Sequence, residues 1–301
     1  MTGTTPTWLF LSVVWGSTWL VIKLGLEDLP PLTFAALRFA LALAPLLWLL
    51  ARRGAPLPRS GRDWALLALT GFLVFSVDYG LIFWAEQHIT SGLTAVLFTT
   101  LPLFGLVFAH YLVPAEPLRL RKLLGVLLGI GGVTLIFADQ LRQDDPLAPV
   151  AALAVVLAAA AAALSNTVVK ARLIHLAPLV VTTTQMAAGL LPLLLASLAW
   201  EGSPARIEWT PLGVGCLAYL AFVGSTLSFI LWYRLIRVIE VTKAQLIPLL
   251  NTLVAVALGW LVLDETLGLR ALAGSVSVLA GLALTLSAKA PPPPDESCEH
   301  C

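Results

Sequence analysis

WLFLSVVWGSTWLVIKLGL, residues 8–26, holds a single charged side chain, Lys23, in 19 residues. A helix of about 20 apolar residues is long enough to cross the ~30 Å hydrocarbon core of a bilayer. Similar stretches recur along almost the whole chain and leave only short connections. They predict ten transmembrane helices, approximately at residues 8–26, 32–51, 64–84, 92–113, 123–138, 147–169, 179–200, 212–233, 244–263 and 269–288.

The composition points to lipid as the solvent of this chain. Of its 301 residues 59% are hydrophobic and only 12% are charged, and the mean hydropathy is +0.92, which excludes a water-soluble globule. The first apolar segment lacks the basic start and cleavage site of a signal peptide, so we expect it to be retained. Alternating strands typical of an outer-membrane barrel are absent, which favours a plasma or inner membrane. A net charge of +1 gives no reason to expect a nucleic-acid partner.

The basic residues predict the orientation of the chain. If the N-terminus is cytoplasmic, thirteen of the 18 Lys and Arg residues fall on cytoplasmic connections. The positive-inside rule therefore places both termini in the cytoplasm. Residues 289–301 are proline-rich and acidic, and we expect a tail without fixed structure whose composition is compatible with an engineered remnant.

The sequence also matches itself. Two segments, residues 1–142 and 143–288, superpose with an offset of 146 to 149 residues, which pairs Thr18 with Ser165, Lys23 with Lys170, Pro31 with Pro178, Pro102 with Pro248, Gly125 with Gly274 and Gly132 with Gly281. This ordered run predicts an all-α polytopic protein made of two five-helix repeats. Because each copy crosses the membrane an odd number of times, the copies are inverted, which suits alternating access; duplication that only stabilised a bundle is the alternative.

The doubled order of these motifs resembles the EamA-type branch of the drug/metabolite transporter superfamily over residues 7–288. The resemblance begins with Trp15-Gly16-Ser17, followed by Lys23 and Pro31. Within that superfamily the chain is most similar to YddG-type aromatic amino-acid exporters. The resemblance implies export of neutral or aromatic amino acids. The second half departs from the first where Gln185 matches Arg38.

Three charged residues fall within or near the predicted spans, in the outer half. They are Lys23, Arg38 and Asp78. A buried charge is costly in a bilayer, so we expect Asp78 to neutralise Lys23 or Arg38 beside the transport path, or a basic residue to receive a substrate carboxylate. Snorkelling of Lys23 to the headgroups and purely structural pairing of the other two are the alternatives. Glu116 and Glu265 are interpreted as interfacial anchors.

Aromatic and hydroxyl-bearing side chains share helix faces and predict the wall of a substrate cavity. Lipid-facing aromatics and ordinary interhelical hydrogen bonds are the alternatives. The candidates are Trp15, Thr18, Trp19, Tyr79, Phe83, Thr94, Phe98, Asn166, Ser228 and Gln245. Pro102 and Pro248 occupy matching positions and predict kinks that either act as gates or are static.

These features together favour a secondary transporter of small metabolites, with a passive, channel-like facilitator of small organic solutes as the alternative. An enzyme is not expected, because the chain has no H-E-x-x-H motif and its His residues are scattered. The sequence has no phosphate-binding loop, so ATP is not expected to drive transport, and no cofactor or metal is expected. The expected partners are the lipid bilayer and an amino acid or related metabolite. The oligomeric state is left open, and a monomer is compatible with the sequence.

Overall fold

The structure, a computed structural model, describes residues 4–136, 138, 145–203, 207, 209–262 and 269–287. The predicted tail, residues 289–301, and Glu265 lie outside these residues. The described residues contain helices and no β-strand. The helices are α1 Thr4–Gly25, α2 Pro31–Arg53, α3 Gly61–Ala85, α4 Ser91–Leu112, α5 Leu120–Ile136, α6 Ala148–Leu173, α7 Pro178–Trp200, α8 Pro211–Val238, α9 in two parts (Val241–Ala244 and Ile247–Val262) and α10 Leu269–Leu286.

Seven of these helices are long and apolar enough to cross a membrane. They are α1, α2, α3, α4, α6, α7 and α8, each of 22 to 28 residues. The prediction of an all-helical membrane protein is therefore confirmed. In their described parts α5 and α10 have 17 and 18 residues, and the longer part of α9 has 16.

Proline sets the start of several helices. Pro31, Pro178 and Pro211 each lie in the first turn of α2, α7 and α8. Proline suits this position because the first helical N–H groups have no partner within the helix and its fixed φ is already helical. Pro45 and Pro192 lie inside α2 and α7, at matching positions of the two halves.

Helices α3 and α8 each contain a wide π-helical turn. It spans Phe72–Asp78 in α3 and Phe222–Leu227 in α8, so the turns fall at matching positions in the two halves. A π turn accommodates an extra residue and shifts the angular position of every side chain after it. The helical faces that the sequence predicts beyond these turns are therefore rotated in the structure.

Most of the apolar core lies in two clusters. The larger joins α1, α2, α3, α6, α7, α8 and the start of α9 around Phe34, Phe39 and Phe75, and the second joins α4, α5, α9 and α10 around Val126 and Val278. Many large apolar side chains face outward instead, including Leu195 and Leu153. Such outward-facing leucines fit contact with lipid.

Helices α5 and α10 pack against each other at glycine residues, where the backbones are too close to leave room for a side chain. Gly125 lies against the backbone of Gly281, and Gly132 lies against the backbone of Gly274. A Cβ added to Gly132 would stand 2.6 Å from the Gly274 carbonyl oxygen. Small residues allow this close approach between membrane helices.

Two glutamates cap helices of the opposite half. The Glu201 carboxylate accepts hydrogen bonds from the backbone N–H groups of Leu32 and Thr33 at 2.8 and 2.7 Å, at the start of α2. The Glu116 carboxylate accepts from the N–H groups of Val241 and Thr242 at 2.8 and 2.9 Å, at the start of α9. Glu116 is buried, so it serves as a helix cap within the protein and not as the interfacial anchor expected from the sequence.

A small ionic cluster surrounds the Glu116 cap. Glu240, between α8 and α9, accepts a hydrogen bond from Lys122 of α5 and lies 2.8 Å from the Lys243 ammonium. Partial burial raises the pKa of the Glu240 carboxyl, but its bonds to the two lysines outweigh burial and hold the pKa below its usual value. The cluster thus joins α5, α8 and α9.

The glycine crossing predicts opposite effects for two adjacent residues of α5. We expect Gly132→Ala to lower stability by about 1–3 kcal/mol, because its methyl group would press on the α10 backbone. Gly131→Ala is the matched control: nothing lies within 4 Å of a Cβ there, so stability should be unchanged or slightly higher. Thermal unfolding of the detergent-purified variants measures both, and equal unfolding temperatures would contradict the crossing.

Candidate functional site

An internal cavity of about 80 Å³ lies among α1, α3, α4, α6, α8 and α9. This volume holds a few water molecules and is well below the roughly 300 Å³ of a typical ligand site. Its lining consists of Trp15, Thr18, Trp19, Ile22, Val74, Asp78, Tyr79, Ile82, Phe98, Leu101, Ala162, Asn166, Phe229, Trp232, Gln245, Ile247, Pro248 and Asn251.

A larger groove of about 1030 Å³ lies outside this cavity, along the α1–α2 connection, α3 and α7. Two of its carboxylates are already bonded: Glu201 caps α2, and Asp28 accepts a hydrogen bond from Thr210. The internal cavity is the better candidate site, because six helices surround it and it carries the chemistry described next.

Six aromatic rings contribute to the cavity wall. The Trp15 ring lies 5.5 Å from Trp232 and 5.8 Å from Phe229, and the Trp19 ring lies 5.4 Å from Phe98. The indole N–H of Trp15 donates to the Gly224 carbonyl, and that of Trp232 donates to Asn166 Oδ1. These bonds fix the two rings, and the wall they form is largely apolar.

Asp78 is the carboxylate in the cavity lining. It ends the π turn of α3 and is only 4% exposed. Its Oδ1 has no hydrogen-bond partner among the described residues, and the Arg38 guanidinium acts on it electrostatically. A buried acceptor without a donor is costly, and native proteins keep few of them. Asp78 is therefore a candidate functional residue of the cavity.

Arg38 lies behind the cavity wall. Its guanidinium is fully buried, donates from Nε to Ser225 Oγ at 2.8 Å, and stands 4.7 Å from the centre of the Tyr79 ring. A weaker bond runs from Nη2 to the Gly224 carbonyl at 3.4 Å. Arg38 thus supports Tyr79 from α2 and links it to α8, without lining the cavity itself.

Two lysines at matching positions bind helix ends. The Lys23 ammonium donates to the carbonyl oxygens of Glu86 and Ile89 at the end of α3. The Lys170 ammonium donates to those of Ile236 and Ile239, at 2.6 and 2.9 Å, at the end of α8. A positive charge is favourable there because the last carbonyls of a helix lack intrahelical donors.

The structure brings many of the predicted site residues together. Those in the cavity lining are Trp15, Thr18, Trp19, Asp78, Tyr79, Phe98, Asn166, Gln245 and Pro248. Those outside the lining are Lys23, Arg38, Phe83, Thr94, Pro102 and Ser228.

The residues outside the lining have other local contacts. Phe83 packs edge-on against Phe34 at 5.3 Å in the core. Thr94 and Ser228 donate to backbone carbonyls of their own helices, to Thr90 and Val223. These contacts are structural, although the Phe83 ring also lies 6.4 Å from that of Tyr79 in the lining.

Both prolines predicted to kink helices follow an interruption. In α4 the regular helix breaks at Thr99 and Thr100, and Pro102 is in the first turn after the break. In α9 it breaks at Gln245 and Leu246, just before Pro248. Proline lacks an N–H and clashes with the preceding turn, which favours a break at this place.

Sequence reasoning missed several members of the lining, above all Phe229 and Trp232 on α8. A signal was available, because sliding α3 onto α8 by 150 residues places Phe229 on Tyr79. This offset of 150 residues differs from the offset of 147 residues that relates α1 to α6. A comparison at one fixed offset therefore does not align Phe229 with Tyr79.

An all-helical chain with several membrane-length helices around an enclosed cavity has the architecture of a multi-pass membrane transporter. The sequence profile of the EamA-like transporter family matches residues 5–138 and again residues 149–287. The chain belongs to this family, and it is a transporter and not an enzyme.

Curated relatives cover nearly the full length. The chain is 26% identical over 272 residues to the uncharacterized transporter YoaV of Bacillus subtilis (strain 168), covering 90% of this chain and 92% of that one. It is 30% identical over 280 residues to the uncharacterized inner membrane transporter YedA of Escherichia coli (strain K12), covering 92% and 88%.

A further relative is named for its substrate, and one solved structure shares the fold. A probable amino-acid metabolite efflux pump of Salmonella typhimurium is 30% identical over 287 residues, covering 91% of both chains. A crystal structure matches with a TM-score of 0.78 at 16% identity, over 94% of this chain and 96% of that chain.

The bonds that Lys23 makes to the end of α3 predict that removing Lys23 exposes this helix end to a water-soluble thiol reagent. In a background with all three native cysteines replaced by serine, Ile89→Cys places a thiol where Ile89 is buried. Adding Lys23→Met removes the charge-assisted bonds to this end, so we expect maleimide labelling of Cys at position 89 to accelerate about tenfold or more. Lys170→Met is the matched control, because it acts on α8. Equal labelling rates with and without Lys23 would contradict the expected role of this cap.

Proposed function

We propose that this chain is a secondary transporter of the inner membrane that exports neutral or aromatic amino acids by alternating access. The observation that carries the proposal is the enclosed aromatic cavity, to which α1, α3 and α4 of the first half and α6, α8 and α9 of the second half contribute. A cavity shared between two halves can open to either side when the halves move against each other.

The proposed frame has ten membrane spans in two inverted five-helix repeats, residues 1–142 and 143–288. The glycine contacts between α5 and α10 support this frame. In the sequence, Gly125 corresponds to Gly274 and Gly132 corresponds to Gly281. In the structure the partners are exchanged: Gly125 contacts Gly281, and Gly132 contacts Gly274. Such an exchange of partners is typical of a two-fold relation between two copies. The two separate matches of the family profile also support a duplication.

Two further pairs of contacts support the same relation. Arg38 of α2 bonds Ser225 of α8, and Gln185, its counterpart on α7, bonds Thr70 of α3. Lys23 and Lys170 bind the ends of α3 and α8 in the same way. The basic residues favour cytoplasmic termini for this arrangement.

The choice of amino acids rests on the site and on one relative. Aromatic rings and a few polar groups line the cavity, which suits a substrate with an apolar side chain and a polar head. The name of the Salmonella relative, an amino-acid metabolite efflux pump, points to the same class. The proposed substrate-binding residues are the predicted site residues that line the cavity. The helix ends bound by Lys23 and Lys170 and the helix breaks before Pro102 and Pro248 are proposed to move during transport.

Reconstitution of the purified protein in liposomes tests the proposal. We expect saturable uptake of at least one of phenylalanine, tyrosine, tryptophan, leucine and alanine, and accelerated uptake when the lumen is preloaded with unlabelled substrate. This counterflow follows from a carrier that reorients with substrate bound, and a passive pore does not show it. Trp19→Ala, which removes one cavity wall, should reduce transport by tenfold or more; Trp48→Ala, at an exposed position of α2, is the control. Absence of uptake for the whole panel would overturn the substrate assignment.

A further inference from the structure

We propose that Asp78 is the counter-ion for a protonated amino group of the substrate, so that the cavity selects molecules with a free ammonium. The inference rests on the proposed function in taking the enclosed cavity as the substrate site. It goes further because it assigns the ammonium group of the substrate to the side chain of Asp78.

The first step is the unused hydrogen-bonding capacity of Asp78. Its carboxylate lines the cavity, is 4% exposed, and Oδ1 has no donor among the described residues. An ionised carboxylate only accepts hydrogen bonds, so a ligand that satisfies it must supply N–H or O–H groups. An ammonium supplies three N–H donors and the opposite charge.

The other polar side chains of the lining are largely occupied by the protein. Thr18 donates to the Trp15 carbonyl, and Asn166 accepts from Trp232. With its amide correctly oriented, Asn251 donates to the carbonyl oxygens of Ile247 and Ser12. Asp78 is therefore the strongest acceptor that the lining leaves for a ligand.

Gln245 is the nearest rival and is committed to neighbouring helices. Its Nε2 donates to the Ala163 carbonyl of α6 at 3.3 Å. Its Oε1 has no hydrogen bond, but it lies against Gly105 of α4, where a Cβ would collide with it. This oxygen is packed against a helix backbone and is poorly placed to receive a ligand.

Charge and aromatic surface favour a cation in the same place. Among the described residues the lining has no Lys, Arg or His, so Asp78 meets no positive side chain there. Arg38 acts on Asp78 from behind the wall, where it is held by Ser225 and stacked on Tyr79. The rings of Trp15 and Trp19 in the lining add attraction for an ammonium that meets their faces, since aromatic rings are negative there.

The matching position in the second half differs. An offset of 150 pairs Asp78 with Ser228, whose hydroxyl donates to the Val223 carbonyl. The negative group therefore comes from the first half alone, which gives the cavity one polar side. A bound amino acid would place its ammonium against α3 and its side chain against the aromatic residues.

Binding measurements on purified protein test the assignment. The probes are phenylalanine, phenylethylamine, which has the amine without the carboxylate, and N-acetylphenylalanine, which has no ammonium. We expect the first two to bind wild-type protein and the third to bind at least tenfold more weakly. Because it uses unaltered protein, this comparison does not depend on the folding of any variant.

Two variants then locate the recognition. Asp78→Asn removes the charge while preserving the shape of the side chain, and it should weaken binding of phenylalanine and phenylethylamine by between about tenfold and about a hundredfold. Glu86→Gln is the matched control: Glu86 follows directly after α3 and is fully buried, and in the described part of the chain neither carboxylate oxygen has a hydrogen-bond partner, but it lies outside the lining. It should bind both probes like wild type.

The outcomes separate this inference from the proposed function. Equal affinity for phenylalanine and its N-acetyl derivative, or equal binding by the Asp78→Asn and Glu86→Gln variants, would overturn the role of Asp78 even if liposomes transport amino acids. Asp78-dependent binding of phenylethylamine without transport of any amino acid would support the ammonium site and overturn the amino-acid assignment. Failure of both amines to bind would overturn the inference.

Discussion

The structure depends on the need to pair every backbone polar group that has no access to water. A helix leaves its first N–H groups and last carbonyls without partners, and in an apolar environment each unpaired group is costly. Here charged side chains meet that need at four helix ends: Glu201 and Glu116 at the starts of α2 and α9, and Lys23 and Lys170 at the ends of α3 and α8. Each of these charges holds two helices together, so the helix ends are also joints between them.

The same requirement explains why the cavity offers few polar groups to a ligand. Most of the polar atoms around it are paired within the protein, and the indole N–H groups of Trp15 and Trp232 are tied to neighbours. Arg38, which the sequence places in the transport path, instead bonds Ser225 and stacks on Tyr79, and its Nη1 has no partner among the described residues. The cavity lining keeps two unpaired oxygens in the described part of the chain, the Asp78 Oδ1 and the Gln245 Oε1 that is packed against Gly105.

Much of the fold and part of the site can be predicted from the sequence, for identifiable reasons. Membrane-length apolar runs and prolines such as Pro31 and Pro178 locate helices directly, because their effects are local. Phe83 follows Tyr79 by four residues on the same face of α3, and the two rings lie 6.4 Å apart. Phe83 nevertheless packs against Phe34 of α2 and stays outside the cavity lining, because helical spacing alone does not tell which neighbouring helix covers each turn of a face. The Glu116 cap could not be foreseen, since its partners are 125 residues away in the chain.

The contact between α5 and α10 also bears on how such a chain could arise. A surface that meets its own counterpart can hold together two separate copies of one short polypeptide inserted in opposite directions. Once the two copies are joined in a single gene, each is free to change without altering the other. In the proposed frame of two repeats, the aspartate at position 78 and the serine at the matching position 228 are a divergence that two separate molecules of identical sequence could not have acquired.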